Sequence, residues 1–331
     1  MHNAVALARH HGCTLVTLCS RRSSADAAAV LAGRAGVEIM AVDVTEVPDD
    51  VVPRFRTTSM LRGGVFDRRT DTSAKRNLGL LIAAVAGWER VILLDDDVVI
   101  PRPDDLSDAA GLLDRFTGVG LSVGGYPDNS VVCHAYREAG GDQDTFIGTG
   151  ALAIGRGSFT SFFPDIYNED WFFLLDDTGL SPSAVTGLAL QQAYDPYRDT
   201  ARARTEELGD CLAEGLFGLL DTAHGLPEAT VGYWQWFLGR RRRFIDEVIA
   251  MVADVHPDGP AKSKVIAAVR AARARNLLIE PRLCLDYMTA WRADRGVWRD
   301  HVEETCRRYE GQPVRRLLAD LGLLHRYRLV A

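Results

Sequence analysis

The apolar run Val91-Ile92-Leu93-Leu94 passes directly into Asp95-Asp96-Asp97. A short run of large aliphatic residues suits a strand covered on both faces. Three adjacent carboxylates cannot follow such a strand into a core, because each would lose its hydration. The strand therefore ends at a surface or a cleft. In open α/β sheets, ligands bind in the crevice beyond the carboxyl ends of the strands. Asp95 and Asp97 fall on the same side if the chain stays extended. Their mutual repulsion calls for a cation or for protons. Hard carboxylate oxygens suit Mg²⁺ or Mn²⁺, which also bind diphosphate oxygens. The plain alternative is a solvated acidic turn, and the direct junction with a core strand argues against it.

The first 200 residues alternate strand-like and helix-like runs. Residues 4–11 read as helix, 14–19 as strand, 24–35 as helix and 37–44 as strand. In 75–86, Leu78, Leu81, Ile82 and Val85 form one stripe of an amphipathic helix, with Asp71, Thr72 or Ser73 as its cap. Residues 90–94 are the next strand. Such alternation predicts an α/β fold with a mainly parallel sheet flanked by helices. From about residue 200 the pattern changes to long helices over 206–220, 234–253, 261–274 and 282–303. Two domains are expected, an α/β domain over 1–200 and a mainly helical one over 201–331. A nucleotide-binding α/β domain ordinarily opens with a strand, whereas this sequence reads as starting in the helix that would follow it.

Bulk properties narrow the function classes. The chain of 331 residues has a net charge of −7, unevenly spread. Residues 1–200 carry 27 acids against 17 bases, and residues 201–331 carry 18 against 21. The acidic half is unsuited to nucleic acid and suited to a divalent cation. No apolar stretch reaches the roughly 18 residues of a membrane span, and the N-terminus does not read as a signal peptide. A cytoplasmic protein is expected. The six cysteines include no C-x-x-C pair and read as reduced thiols.

Upstream of the aspartates, Lys75-Arg76-Asn77-Leu78-Gly79 opens a helix, where backbone donors and cationic side chains meet anions. The whole run KRNLGLLIAAVAGWERVILLDDD resembles glycosyltransferase family 2 and its GT-A relatives. In those proteins an RN-x-G helix leads through a Gly-aromatic turn to a strand ending in a D-x-D motif. Asp95 and Asp97 match that motif and Asp96 is its middle position. Residues 146–154 (FIGTGALAI) resemble the acceptor-side strand. Ile166–Trp171 (IYNEDW) resembles the family's E-D motif, with Glu169 and Asp170. The similarity covers about 75–175. The Q-x-x-R-W motif of processive members is absent.

The resemblance implies a GT-A-like, Rossmann-type fold. The implied activity is a metal-dependent, inverting, non-processive sugar transfer, of hexosyltransferase type, from a nucleoside-diphosphate sugar to an acceptor hydroxyl. Asp95 and Asp97 are then the Mn²⁺ or Mg²⁺ ligands. Lys75, Arg76, Asp95 and Asp96 bind the donor nucleotide, Asp170 is the general base and Glu169 supports the acceptor pocket. Asn168-Glu169-Asp170 also reads as a plain helix N-terminus, where acids favour the dipole.

Three weaker features complete the reading. His224 and His256 are further candidate ligands, though a lone His beside a turn is ordinarily a surface residue. Tyr233-Trp234-Gln235-Trp236-Phe237 ahead of Arg240–Arg243 suits a peripheral membrane contact or, more commonly, a helix core with a solvated basic face. Two rival functions remain open. In a haloacid-dehalogenase-type phosphatase, Asp95 and Asp97 would act with the later acids Asp176 and Asp177. A catalytically inactive GT-A module would bind nucleotide without turnover.

Overall fold

The computed structural model describes residues 1–44, 52–126, 130–142, 147–148, 150–323 and 327–330, the last four as backbone. The elements alternate through the first half. They run α1 (His2–His11), β1 (Leu15–Cys19), α2 (Ala25–Arg34), β2 (Ile39–Asp43), α3 (Arg56–Leu61), α4 (Thr72–Ala86), β3 (Arg90–Leu94), β4 (Val98–Val99), α5 (Asp104–Gly111), β5 (Gly118–Gly125), α6 (Val131–Glu138), β6 (Ala151–Gly155), α7 (Glu169–Phe173) and β7 (Ser183–Gln191). Helices dominate the rest, with α8 (Thr200–Asp221), α9 (Val231–Val255), α10 (Pro260–Asn276), α11 (Pro281–Arg308) and α12 (Val314–Asp320), before a last strand β8 (Tyr327–Val330).

Local chemistry sets the helix ends. Ser24, Ser130, Asp199 and Thr230 each accept a backbone N–H at the start of a helix. Pro260 and Pro281 occupy first turns, where a missing N–H costs nothing. α4 buries Leu78, Leu80, Leu81, Ile82 and Ala83 and stops at Gly87 in the left-handed conformation. Asp71 precedes α4, but its carboxylate accepts from Ser20 Oγ (2.5 Å) instead of capping the helix.

The α/β class holds, with helices on both faces. The sheets are mixed where a mainly parallel sheet was expected. One sheet has the order β1-β2-β8 and the other β3-β6-β5-β7-β4. β1 pairs parallel with β2, and β5 with β7, while β2–β8, β3–β6, β5–β6 and β4–β7 are antiparallel. The alternation of elements does not fix direction, because side chains alternate between the two faces whichever way a strand runs, and β6 and β4 run against their neighbours.

The largest core joins both halves of the chain. It holds Leu80 and Leu81 of α4, Leu152 and Ile154 of β6, Phe172 and Phe173 of α7, Leu212 and Leu216 of α8, Trp234 of α9, and Trp291 and Trp298 of α11. Trp298 donates its indole N–H to the Phe159 carbonyl at 2.9 Å. The C-terminal stretch also returns a strand, β8, to the first sheet. Position 200 is thus the start of a helix packed into a shared core. Among the described residues, no helix is long and apolar enough to cross a membrane.

Candidate functional site

β3 and α4 deliver the site's central charges. The Asp95 amide donates to the Gly150 carbonyl (3.0 Å), which carries the β3–β6 pairing one residue past the apolar run. The Asp95 carboxylate then meets the Arg76 guanidinium (3.1 and 3.3 Å). Arg76 also donates to Glu169 Oε1 (2.7 Å), and Arg68 donates to Glu169 Oε2 (2.8 Å). Glu169 is buried and bridges the two arginines. Burial opposes the Arg76 charge, but Asp95, Glu169 and Asp170 outweigh it and raise the guanidinium pKa further. Its ring neighbour is Phe163, 5.5 Å from the guanidinium carbon.

The same residues line a cavity of about 270 Å³. Its wall includes Arg68, Arg76, Asp95, Glu169, Asp170 and Gln191, together with Cys133, Asp210 and Glu214 from the helices beyond. Asp170 lies at the mouth of α7. Its Oδ1 accepts the Trp171 amide (3.0 Å), and a Cβ on Gly148 would stand 3.5 Å from its Oδ2. Asn168, just ahead, takes a left-handed backbone (φ 61°) and donates to Asp210 Oδ1 at 3.0 Å. A non-glycine residue held there stores strain of the kind that clusters at functional sites.

The other sequence candidates are placed differently. Asp97 is outside the cavity wall and accepts from Gln191 Nε2 at 2.7 Å. Desolvation raises its carboxyl pKa, the Gln191 bond opposes this, and Asp95 and Asp96 add to it. Asp96 is exposed. Lys75 turns away from the cavity to Ser20 Oγ (2.5 Å) and Asp71 (3.3 Å). Among the described residues, no three His, Cys, Asp or Glu side chains form a ready-made metal cage. A Mg²⁺-type ion held by one or two carboxylates plus substrate phosphates does not require one; of the expected pair, Asp95 lines the cavity and is held by Arg76, while Asp97 is held by Gln191 outside the wall.

His224 sits beside Thr222 and Glu228, and His256 ends α9, neither of them on the cavity wall. Asp176 folds onto its own turn, accepting from Thr178 and Gly179, while Asp177 pairs with Arg295 beside a separate cavity. The structure therefore does not assemble Asp95, Asp97, Asp176 and Asp177 into one centre. Residues 127–129, 143–146 and 149, which include part of the FIGTGALAI stretch, lie outside the described residues.

The sequence reading missed the back wall. Glu207, Asp210 and Glu214 of α8 converge on Arg241 of α9 at 3.1, 2.9 and 2.5 Å. Arg241 sits in the middle of the Arg240–Arg243 run yet is fully buried, and Arg242 is spent on Asn276 and the Ile279 carbonyl. Burial raises the Asp210 pKa far above its usual range, Arg241 opposes this, and Glu214, Glu207 and Glu206 add to it. One signal was available. Glu207, Asp210 and Glu214 recur at spacings of three and four, a single stripe of acids along one face of α8. No family model matches this chain, and no curated protein matches it in sequence.

Proposed function

We propose that this protein is a metal-dependent glycosyltransferase of the GT-A type, taking its sugar from a nucleoside diphosphate. One observation carries the reading. The strand-end acid Asp95, the helix-start base Arg76 and the acid Asp170, distant in sequence, line one cavity. Asp95, with Asp97, would hold Mn²⁺ or Mg²⁺. When bound, the ion supplies charge stabilisation to the departing diphosphate.

The chain's own residues divide the remaining work. Arg76 and Arg68 supply positive charge to the cavity, held in place by Glu169. Glu169 is thus a positioning residue, in place of the acceptor contact its motif position implied. Asp170 is the base that takes the acceptor's hydroxyl proton as the oxygen attacks the sugar, with inversion. The left-handed Asn168 and its bond to Asp210 fix where Asp170 points. The acceptor enters between Asp170 and the Asp210–Glu214 wall.

Calorimetry with UDP-, GDP- and dTDP-sugars, with and without Mn²⁺, tests the donor half. Absence of any metal-dependent sugar-nucleotide binding sinks the proposal. Asp170→Asn tests the chemistry. Donor affinity should hold while turnover falls by roughly 10²–10⁴-fold. Near-normal turnover in the folded variant removes Asp170 from that role. Metal-dependent binding without turnover toward any acceptor would favour the inactive module.

A further inference from the structure

A second cavity, of about 290 Å³, lies between α11, the turn Arg156–Thr160 after β6, and the turn after α7. It shares no lining residue with the cavity of Asp95 and Asp170. Arg292, Arg295 and Arg299 line it from α11, Thr160 and Ser161 from the first turn, and Asp177 from the second.

The walls are built from buried contacts. On α11 the neighbouring face is core, with Trp291, Asp294 and Trp298 buried. The Trp298 indole ties the first turn to the helix through the Phe159 carbonyl (2.9 Å), and Ser158 Oγ donates to the Thr117 carbonyl (2.7 Å). Asp176 closes the second turn by accepting from Thr178 and Gly179, which leaves Asp177 to reach across to Arg295.

The charges inside do not balance. Arg292, Arg295 and Arg299 recur at spacings of three and four, so they share one helix face and repel one another. Asp177 is the one carboxylate on the wall. Arg295 is held by it and by the Trp291 ring, 5.3 Å from the guanidinium carbon. Arg299 meets Asp300 at 3.5 Å, outside the lining. The half-buried Arg292 and Ser161 side chains make no hydrogen bond or ion pair among the described residues. Gly296 sits amid the three arginines and also lines the cavity. Glycine weakens a helix interior relative to alanine. A Cβ there would meet nothing within 4 Å, so no packing against the protein calls for the gap. The gap leaves room for a ligand against the helix.

We propose that this cavity binds a phosphate group, with Arg292, Arg295 and Arg299 donating to its oxygens and Thr160 and Ser161 adding hydroxyl donors. The Asp177 side chain, 79% exposed, now stands where one of those oxygens would lie, and an exposed ion pair is readily exchanged. A single carboxylate leaves Arg292 without a partner. A phosphate monoester carries more charge and three strong acceptor oxygens, which suits several guanidiniums at once. The volume is at the lower end of small-molecule sites and fits a phosphate with a small attached group. A soluble phosphate ester and a phospholipid headgroup present the same chemistry. The inference does not depend on the transferase reading.

The test is calorimetry of the full chain with inorganic phosphate and with pyrophosphate, in the absence of divalent cations. Melting temperature confirms that each variant is folded. Arg292→Gln should weaken binding by about tenfold or more, the loss of a charge-assisted contact. Gly296→Leu keeps every charge, fills the space between the arginines and should abolish binding. Asp177→Asn removes the competing carboxylate and should tighten it. Arg315→Gln, an equal change at an exposed arginine of α12, should leave it within about twofold of the parent. Cosedimentation with phosphatidic acid vesicles, lost in Arg292→Gln, identifies a lipid headgroup as the source. Binding of free phosphate or pyrophosphate without cosedimentation identifies a soluble ligand. Absence of saturable binding to phosphate, pyrophosphate and vesicles overturns the proposal. So does binding that is unchanged in both Arg292→Gln and Gly296→Leu, or reduced equally in Arg315→Gln. Equal affinity for citrate overturns the assignment to phosphate.

Discussion

Arg76 carries more of the site's geometry than any other side chain. Its two nitrogens tie the β3 end to the α7 start through Asp95 and Glu169. Removing one partner of a largely buried ion pair strands the other, so Arg76→Ala should cost about 3–5 kcal/mol of stability. Urea unfolding measures it, and an unchanged midpoint would show that the pair adds nothing net. A loss of nucleotide affinity in that variant would therefore report the fold as much as the ligand, which makes Asp170 the cleaner probe. Asp165 offers a second residue-scale test. Burial pushes its carboxyl up to about 6, Arg68 opposes this, and Glu169 and Asp67 add to it. A carboxyl whose folded pKa lies above its unfolded value binds more protons when folded. Its penalty is absent below about pH 4 and fully present above about pH 6, so this group lowers stability as pH rises between those limits. Asp165→Asn should gain on the order of 1–3 kcal/mol near pH 7.5 and nothing near pH 4. Unfolding curves at both pH values decide it, and an equal gain at both would exclude titration as the cause.

At the scale of elements, the site depends on how closely α8 passes the loop ahead of α7. A Cβ at Gly209 would lie 2.1 Å from the Tyr167 carbonyl oxygen, a backbone atom that cannot swing aside. That contact brings Asp210 to Asn168 and thereby to Asp170. Gly209→Ala must push α8 or the loop away, at a cost of about 1–3 kcal/mol or more. The prediction extends to function, with turnover falling further than donor affinity as the Asn168 bond loosens. A variant as stable and as active as the parent would show that the approach is not needed. The buried Arg241 network belongs to the same scale. Three carboxylates around one guanidinium tie α8 to α9.

At the scale of the whole molecule, the two halves are expected to unfold together. The core that holds α4, β6 and α7 is closed by Leu212, Trp234, Trp291 and Trp298 from beyond residue 200. Far-UV circular dichroism and tryptophan fluorescence should therefore trace one coincident transition in urea. A fragment ending near residue 199 should fail to fold, because it exposes this apolar face and loses β8. Two separated transitions, or a cooperatively folding fragment, would restore the two-domain division that the helix-rich composition suggested.

The sequence by itself determined the elements whose signal is local. The stripe of Leu78, Leu81 and Ile82 is a helix face, and Val91–Leu94 is a strand that hands Asp95 to a cavity. Caps such as Ser24 and prolines such as Pro260 and Pro281 mark helix starts with no help from distant residues. Tertiary structure alone decided the pairing directions, since β6 looks the same in sequence whether it runs with β3 or against it. It also decided the partners of the charges. Periodicity shows that Lys75 and Arg76 begin a helix, but adjacent helical residues diverge by about 100°. One therefore reaches Ser20 and the other Asp95 and Glu169. The back wall was hidden for a related reason. A buried acid such as Asp210 and a buried base such as Arg241 look like solvated residues until the fold brings them within 2.9 Å and removes the water.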